Sequence, residues 1–299
     1  MKRSTGLVAL AITFVLLVAL GCAGQVSPAE TAVVTPSAAV EAAALVNGRP
    51  IAYDEYAKAV PEVDAYFAQQ GLDPQSDEGR ETLSQAHRQI LEQMIEQELI
   101  RQAAEGMGVS ISQDEVEASI QDIIGELGGQ EEFNEYLGAM GASDEEYRQM
   151  LLDQLLSNAV YDAVTASISP VAEQVHARHI LLPTRQGAEE VLARLEAGED
   201  FAYLAREYTE DISSREMGGD VGFFPRGVMP PEVEEVAFAL DVGQVSEIVE
   251  SQFGFHIIQV LEKEEREIAV EVFENLRQQT FMEWLQQRKE ESTIERFVD

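Results

Sequence analysis

Residues 211–224 read DISSREMGGDVGFF, a polar stretch followed by two adjacent glycines, an aspartate and an apolar run. Glycine accepts positive φ and lets another backbone approach closely, so Met217-Gly218-Gly219-Asp220 reads as a tight turn feeding a strand. Val221 and Phe223 or Phe224 supply apolar surface on that strand, and Asp220 is suited to cap the turn. Upstream, EQVHARHILL at 173–182 alternates as a strand does. AEEVLARLEAGEDFAYLAREY at 188–208 follows with helical spacing, Phe201, Leu204, Ala205 and Tyr208 falling on one face. Downstream, PPEVEEVAFAL at 230–240 is a short helix opened by proline, and FGFHIIQVLEKEE at 253–265 closes the unit as a strand. Strand and helix mixed over residues 171–265 make one compact α+β domain.

The flanks are helical. ALVNGRPIAYDEY at 44–56 opens the folded part, with Asn47-Gly48 as a tight-turn dipeptide and Asp54 placed to cap a helix. A long helix is expected over about 77–105, with Leu83, Ile90, Met94 and Leu99 along its apolar stripe. SQDE at 112–115 and SDEE at 143–146 are Ser-x-x-Glu capping boxes, each starting a new helix. SISP at 167–170 breaks the last of these. After residue 265 the helical period returns, with Phe273, Leu276, Thr280 and Trp284 on one face, and STIERFV at 292–298 reads as a strand. One terminal helix cannot bury that surface alone. Segment 266–299 is therefore expected to pack back on helical domain 44–170, making the α+β unit an insertion.

On their alternating strands His179 shares a face with Val175, Ala177 and Leu181, and His256 shares one with Ile258 and Val260. Imidazoles on apolar faces need partners. If the two strands are neighbours, the rings can bond to each other and fix each other's tautomer. Taken singly, an inward histidine is more often a satisfied core residue than a catalyst. His176 and His87 read as ordinary.

ARHILL, FAYLAREYTEDISSREMGGDVGFF, PRGVMPPEVEEVAFAL and GQVSEIVESQFGFHIIQV together resemble a parvulin-type peptidyl-prolyl isomerase, with the family's elements in order. The resemblance implies a small antiparallel sheet with surrounding helices. It places His179 and His256 on the family's paired histidines and Asp211 beside the substrate carbonyl. It places Ser251 on a hydroxyl position that supports the histidines. Val221, Met229 and Phe253 fall at the apolar proline pocket, and Val233 stands where a phenylalanine usually lines it, implying a wider pocket. The loop PTRQGA at 183–188 has one arginine in place of the basic cluster of the phospho-directed branch, which argues against phosphoserine-proline selectivity. Asp211 has two open readings: a charge that opposes amide resonance, or a cap on the adjacent turn. No metal cluster, cofactor motif or nucleophile triad is visible. The segments VNGRPIAYDEYAKAV and FMEWLQQRKEESTIERFV resemble the helical chaperone module of SurA- and PrsA-type foldases, implying a cradle for unfolded chains.

Charge and targeting complete the reading. The formal net charge of −35 over 299 residues excludes a general nucleic-acid binder, which needs cationic patches. Lys2 and Arg3 precede the apolar run at 6–21, which ends at Cys22, the single cysteine, so residues 1–21 read as an export signal. VALGCAG resembles a bacterial lipoprotein signal, although Ala19 replaces the usual leucine. That resemblance implies a lipidated Cys22 followed by a tether over 22–43. A plain signal peptide and an uncleaved anchor are the alternatives. The expected protein is an exported, lipid-anchored isomerase on the extracytoplasmic face of a bacterial membrane, acting on unfolded or nascent exported chains with X-Pro bonds. The alternative is a non-catalytic holdase whose parvulin-like unit only grips peptide.

Overall fold

A computed structural model describes residues 42–298. The export signal, Cys22 and most of the tether lie outside the described residues. No helix among the described residues is long and apolar enough to cross a membrane. The chain divides into two compact units, one running to Val164 and resuming at Glu283, the other spanning Thr165–Met282.

The first unit opens with a hairpin, β1 (Ala42–Val46) and β2 (Arg49–Ala52). Asn47 and Gly48 between them sit at φ 53 and 81, the paired positive values that match a two-residue turn to strand twist. Helices α1 (Tyr53–Gln69), α2 (Asp77–Met107), α3 (Gln113–Leu127), α4 (Gln130–Met140) and α5 (Asp144–Thr165) follow. Both capping boxes form: Ser112 and Glu115 exchange bonds at the start of α3, as Ser143 and Glu146 do before α5. Asp54 is not a cap. Helix α1 begins directly from β2 at Ala52, so Asp54 lies inside the first turn, where its charge still favours the helix N-terminus.

The second unit contains β3 (Val171–Leu182), α6 (Arg185–Glu196), α7 (Phe201–Tyr208), α8 (Ile212–Arg215) and β4 (Asp220–Phe224). It continues with α9 (Pro231–Ala239), β5 (Val249–Ser251) and β6 (Gly254–Glu267). The stretch 188–208, read as one helix, is two. Gly198 at φ 92 ends the first, and the Asp200 side chain caps the second by accepting from Tyr203 N–H. The strands form one antiparallel sheet in the order β4-β3-β6-β5.

One face of this sheet packs Ile180, Leu182 and Ile257 against Val191, Phe201 and Leu204. The other packs Val175, Ala177, Ile258 and Val260 against Val233, Ala237 and Phe238 of α9. Each fully buried aliphatic chain of this kind contributes roughly 1.5–3 kcal/mol. Register decides which face each histidine takes. His176 pairs with Glu262 but Ala177 pairs with Val260, so Leu261 is an extra, bulged residue of β6. Past this bulge Leu181 lies opposite His256, which puts His256 on the face that carries His179. Without the bulge the alternation would send His256 to the opposite face.

Helix α10 (Val270–Glu291) begins in the second unit, and its last turns belong to the first. There Lys289 bonds Glu92 and Glu96, and β7 (Ile294–Arg296) pairs antiparallel with β1. Asn47 joins this return, its backbone N–H donating to the Thr293 carbonyl at 2.8 Å and its side-chain oxygen accepting from Thr293 N–H at 2.9 Å. The architecture is an α+β unit inserted into a helical one.

Candidate active site

The turn that opened the sequence reading holds His179 in place. Gly218 and Gly219 sit at φ 72 and 86. The Gly219 carbonyl accepts from His179 N–H at 2.8 Å. A β-carbon on Gly219 would lie 2.2 Å from the His179 carbonyl oxygen. Only glycine lets the two backbones come this close. Asp220 accepts from Gly222 N–H at 2.8 Å, closing the turn, and from His176 Nε2 at 2.8 Å.

Four of the expected site residues come together in one hydrogen-bonded row. His179 Nε2 lies 2.8 Å from Asp211 Oδ2, the Nδ1 atoms of His179 and His256 lie 3.3 Å apart, and His256 Nε2 lies 2.7 Å from Ser251 Oγ. The rings are stacked with centroids 5.5 Å apart. For the neutral pair the proton positions follow from chemistry. A carboxylate only accepts, so His179 carries its proton on Nε2 and its Nδ1 accepts from His256 Nδ1–H. His256 Nε2 then accepts from the Ser251 hydroxyl, which itself accepts from Phe253 N–H at 3.1 Å.

Burial and hydrogen bonding set the charges. His256 is only 3% exposed. Burial first, then the adjacent His179, push its pKa down to about 4 against partial opposition from Glu232 and Asp211. Burial also works to raise the Asp211 carboxyl, but hydrogen bonds from Ser213, Ser214 and His179 outweigh it and hold the group well below the usual carboxylate range. Asp211 Oδ1 accepts from Ser213 N–H at 3.1 Å and Ser213 Oγ–H at 2.6 Å, while Oδ2 takes Ser214 Oγ–H and His179. Asp211 is thus both the N-cap of α8 and the partner of His179, with each oxygen receiving two donors. The sequence reading did not single out Ser213 and Ser214. Their signal was local: Asp-x-Ser-Ser at a helix start is a capping pattern.

The apolar residues divide. Val221 and Met229 are half-buried against the cluster formed by Val175, Ala177, Val233, Ile258 and Val260. Val233 itself is 5% exposed and packs beneath them, while Phe253, in the β5–β6 turn, is 61% exposed. Among the described residues, no three His, Cys, Asp or Glu side chains converge on a metal position.

The PPIC-type PPIase domain matches residues 164–264, and the SurA-like N-terminal domain matches 1–161. Foldase protein PrsA of Caldanaerobacter subterraneus subsp. tengcongensis is 32% identical over 230 residues, covering 72% of this chain and 71% of that protein. The chain belongs to the PrsA foldase family. Within that family, foldase protein PrsA of Clostridium tetani is 26% identical, covering 95% of this chain and 94% of that protein. A crystal structure of the peptidylprolyl isomerase PrsA from Bacillus anthracis aligns with 27% identity and a TM-score of 0.47, over 68% of this chain and 96% of that one. The isomerase match on this foldase takes in β3 through most of β6, the unit that holds the histidine row. Its enzyme class is parvulin-type peptidyl-prolyl cis-trans isomerase.

Proposed function

We propose that this foldase catalyses X-Pro isomerisation in unfolded exported polypeptides at the row Asp211–His179–His256–Ser251. The hydrogen-bonded pair of inward histidines beside an apolar surface carries the reading. Rotation about a peptide bond faces roughly 18–20 kcal/mol, from loss of amide resonance. No bond need form or break. Val221, Met229 and Phe253 offer apolar surface to a pyrrolidine ring, with Val233 supporting it from below. The aligned donors and acceptors of the row present fixed dipoles that favour the twisted amide over the planar one. With both oxygens of Asp211 already engaged, its charge acts through His179 and not by direct contact with the substrate carbonyl. Refolding of a proline-limited client tests this. The wild type accelerates the slow phase, and His179→Ala with His256→Ala in the same chain loses the acceleration; an unchanged rate in that variant refutes the assignment.

Lipid attachment at Cys22 would hold the enzyme on the extracytoplasmic face of the membrane. Support comes from the charged start, the apolar run and the single cysteine at its end. Cys22→Ser then moves the protein from the membrane fraction to the soluble one.

A holdase reading draws on the first unit, where Ala65, Phe67, Ala68, Leu72, Pro74 and Leu83 line a recess of about 310 Å³. Exposed Tyr66 flanks it in sequence. A holdase alone suppresses client aggregation without accelerating the proline phase, so the same assay separates the two.

A further inference from the structure

We propose that Thr209 is a positioning residue for the isomerase reaction, aiming Asp211 at His179 through one side-chain oxygen; this rests on the reading of the Asp211–His179 row given above. Thr209 is 2% exposed and lies between α7 and α8. Its Oγ1 accepts from two backbone N–H groups, Leu181 at 3.0 Å and Asp211 at 3.2 Å. Leu181 belongs to β3, two residues beyond His179 on the same face. Asp211 belongs to the cap of α8. A single oxygen therefore ties the strand that carries the histidine to the turn that carries the carboxylate.

The surrounding contacts make this tie specific to aim and not to folding. Beyond Arg178, β3 has left the ladder with β4, and its outer edge is completed by loops. His179 N–H donates to Gly219, Leu181 N–H to Thr209 Oγ1, and Glu210 N–H to the Leu181 carbonyl at 2.8 Å. The loop keeps other anchors. Thr209 N–H donates to the Ala205 carbonyl at 3.0 Å, and the Arg215 guanidinium donates twice to the Thr209 carbonyl, at 3.0 and 2.7 Å. None of these needs the hydroxyl. Replacing Oγ1 with a methyl leaves the loop attached but sets a carbon against two N–H donors, which then move apart. Asp211 moves with one and His179 with the other.

The test compares Thr209→Val, Thr209→Ser and Asp211→Ala in the full chain, using a proline tetrapeptide as substrate. Thr209→Val is expected to lower kcat between about 10- and 100-fold with KM little changed, since small misplacements of reacting groups cost that much. Thr209→Ser restores the oxygen and the rate. The ring ¹⁵N shifts of His179 and His256, which report where each proton sits, should move in Thr209→Val and return in Thr209→Ser. Wild-type kcat in Thr209→Val, equal losses in Val and Ser, or unmoved ring shifts each overturn the proposal. Loss of kcat in Asp211→Ala but not in Thr209→Val removes the Thr209 role alone. Retention of kcat in Asp211→Ala removes the reading of the row, and the Thr209 role with it.

Discussion

Acid is the perturbation that reads the histidine pair most directly. His256 is 3% exposed, and its folded pKa is pushed down to about 4 from the ordinary 6.5 of an imidazole. The unfolded chain restores the ordinary value. Below that value the unfolded state takes up a proton that the folded state refuses, so stability present at neutral pH is lost as pH falls from about 6.5 toward 4. At 1.36 kcal/mol per unit, the loss from this one ring is about 2 kcal/mol between pH 7 and 5, levelling near ~3 kcal/mol below pH 4. Asp211, also held below its ordinary range, adds a loss of the same sign at still lower pH. The excess of 55 acidic over 20 basic residues works the other way, because protonating ordinary carboxylates relieves repulsion. Total stability is therefore the wrong quantity to follow. The assay is an NMR titration of the four histidines, with urea unfolding of wild type and His256→Leu at each pH. The expected result is a His256 midpoint near 4 and a steeper acid loss in the wild type than in the variant. A His256 midpoint at 6 or above, or parallel pH slopes in the two proteins, refutes the burial argument.

Three further outcomes follow from the geometry. Gly219→Ala combines a positive-φ cost with a contact against the His179 carbonyl that only backbone movement relieves, so destabilisation of about 3 kcal/mol is expected by chemical denaturation, with loss of isomerase activity. Ser251→Ala leaves His256 Nε2 and Phe253 N–H without this partner and should cost about 1–3 kcal/mol, recovered largely by Ser251→Thr; equal stability in all three proteins contradicts the hydrogen-bond assignment. Asn47→Ala removes the side-chain bonds to Gln102, Ser292 and Thr293 along with a residue suited to φ 53, and should weaken the first unit by roughly 2 kcal/mol while isomerase kinetics stay unchanged.

Features encoded within a few residues could be read from the sequence. The Asn47-Gly48 turn, the two Ser-x-x-Glu boxes and the glycine pair beside His179 each need only local chemistry, and each formed. The alternation that put His179 and His256 on apolar faces was likewise a property of single strands. Their meeting was not local. It depends on the bulge at Leu261, which no periodicity announces because an extra residue merely looks like a slip in the pattern. The break at Gly198 was hidden for the opposite reason: the apolar spacing continues across it, so two helices read as one. Asp211 shows a third case. A charge opposing amide resonance and a cap on the turn are its two readings in sequence; the bond to His179 is in neither, and the carboxylate has enough lone pairs to make it while capping α8.

The pairing of β7 with β1 sets an order of events for a chain made from its amino end. The hairpin at Asn47 is made ahead of the helices yet lacks its third strand until β7 follows. The stretch from Thr165 to Met282 is continuous and can mature in the meantime. The isomerase-class unit is thus complete before the first unit has gained its last strand.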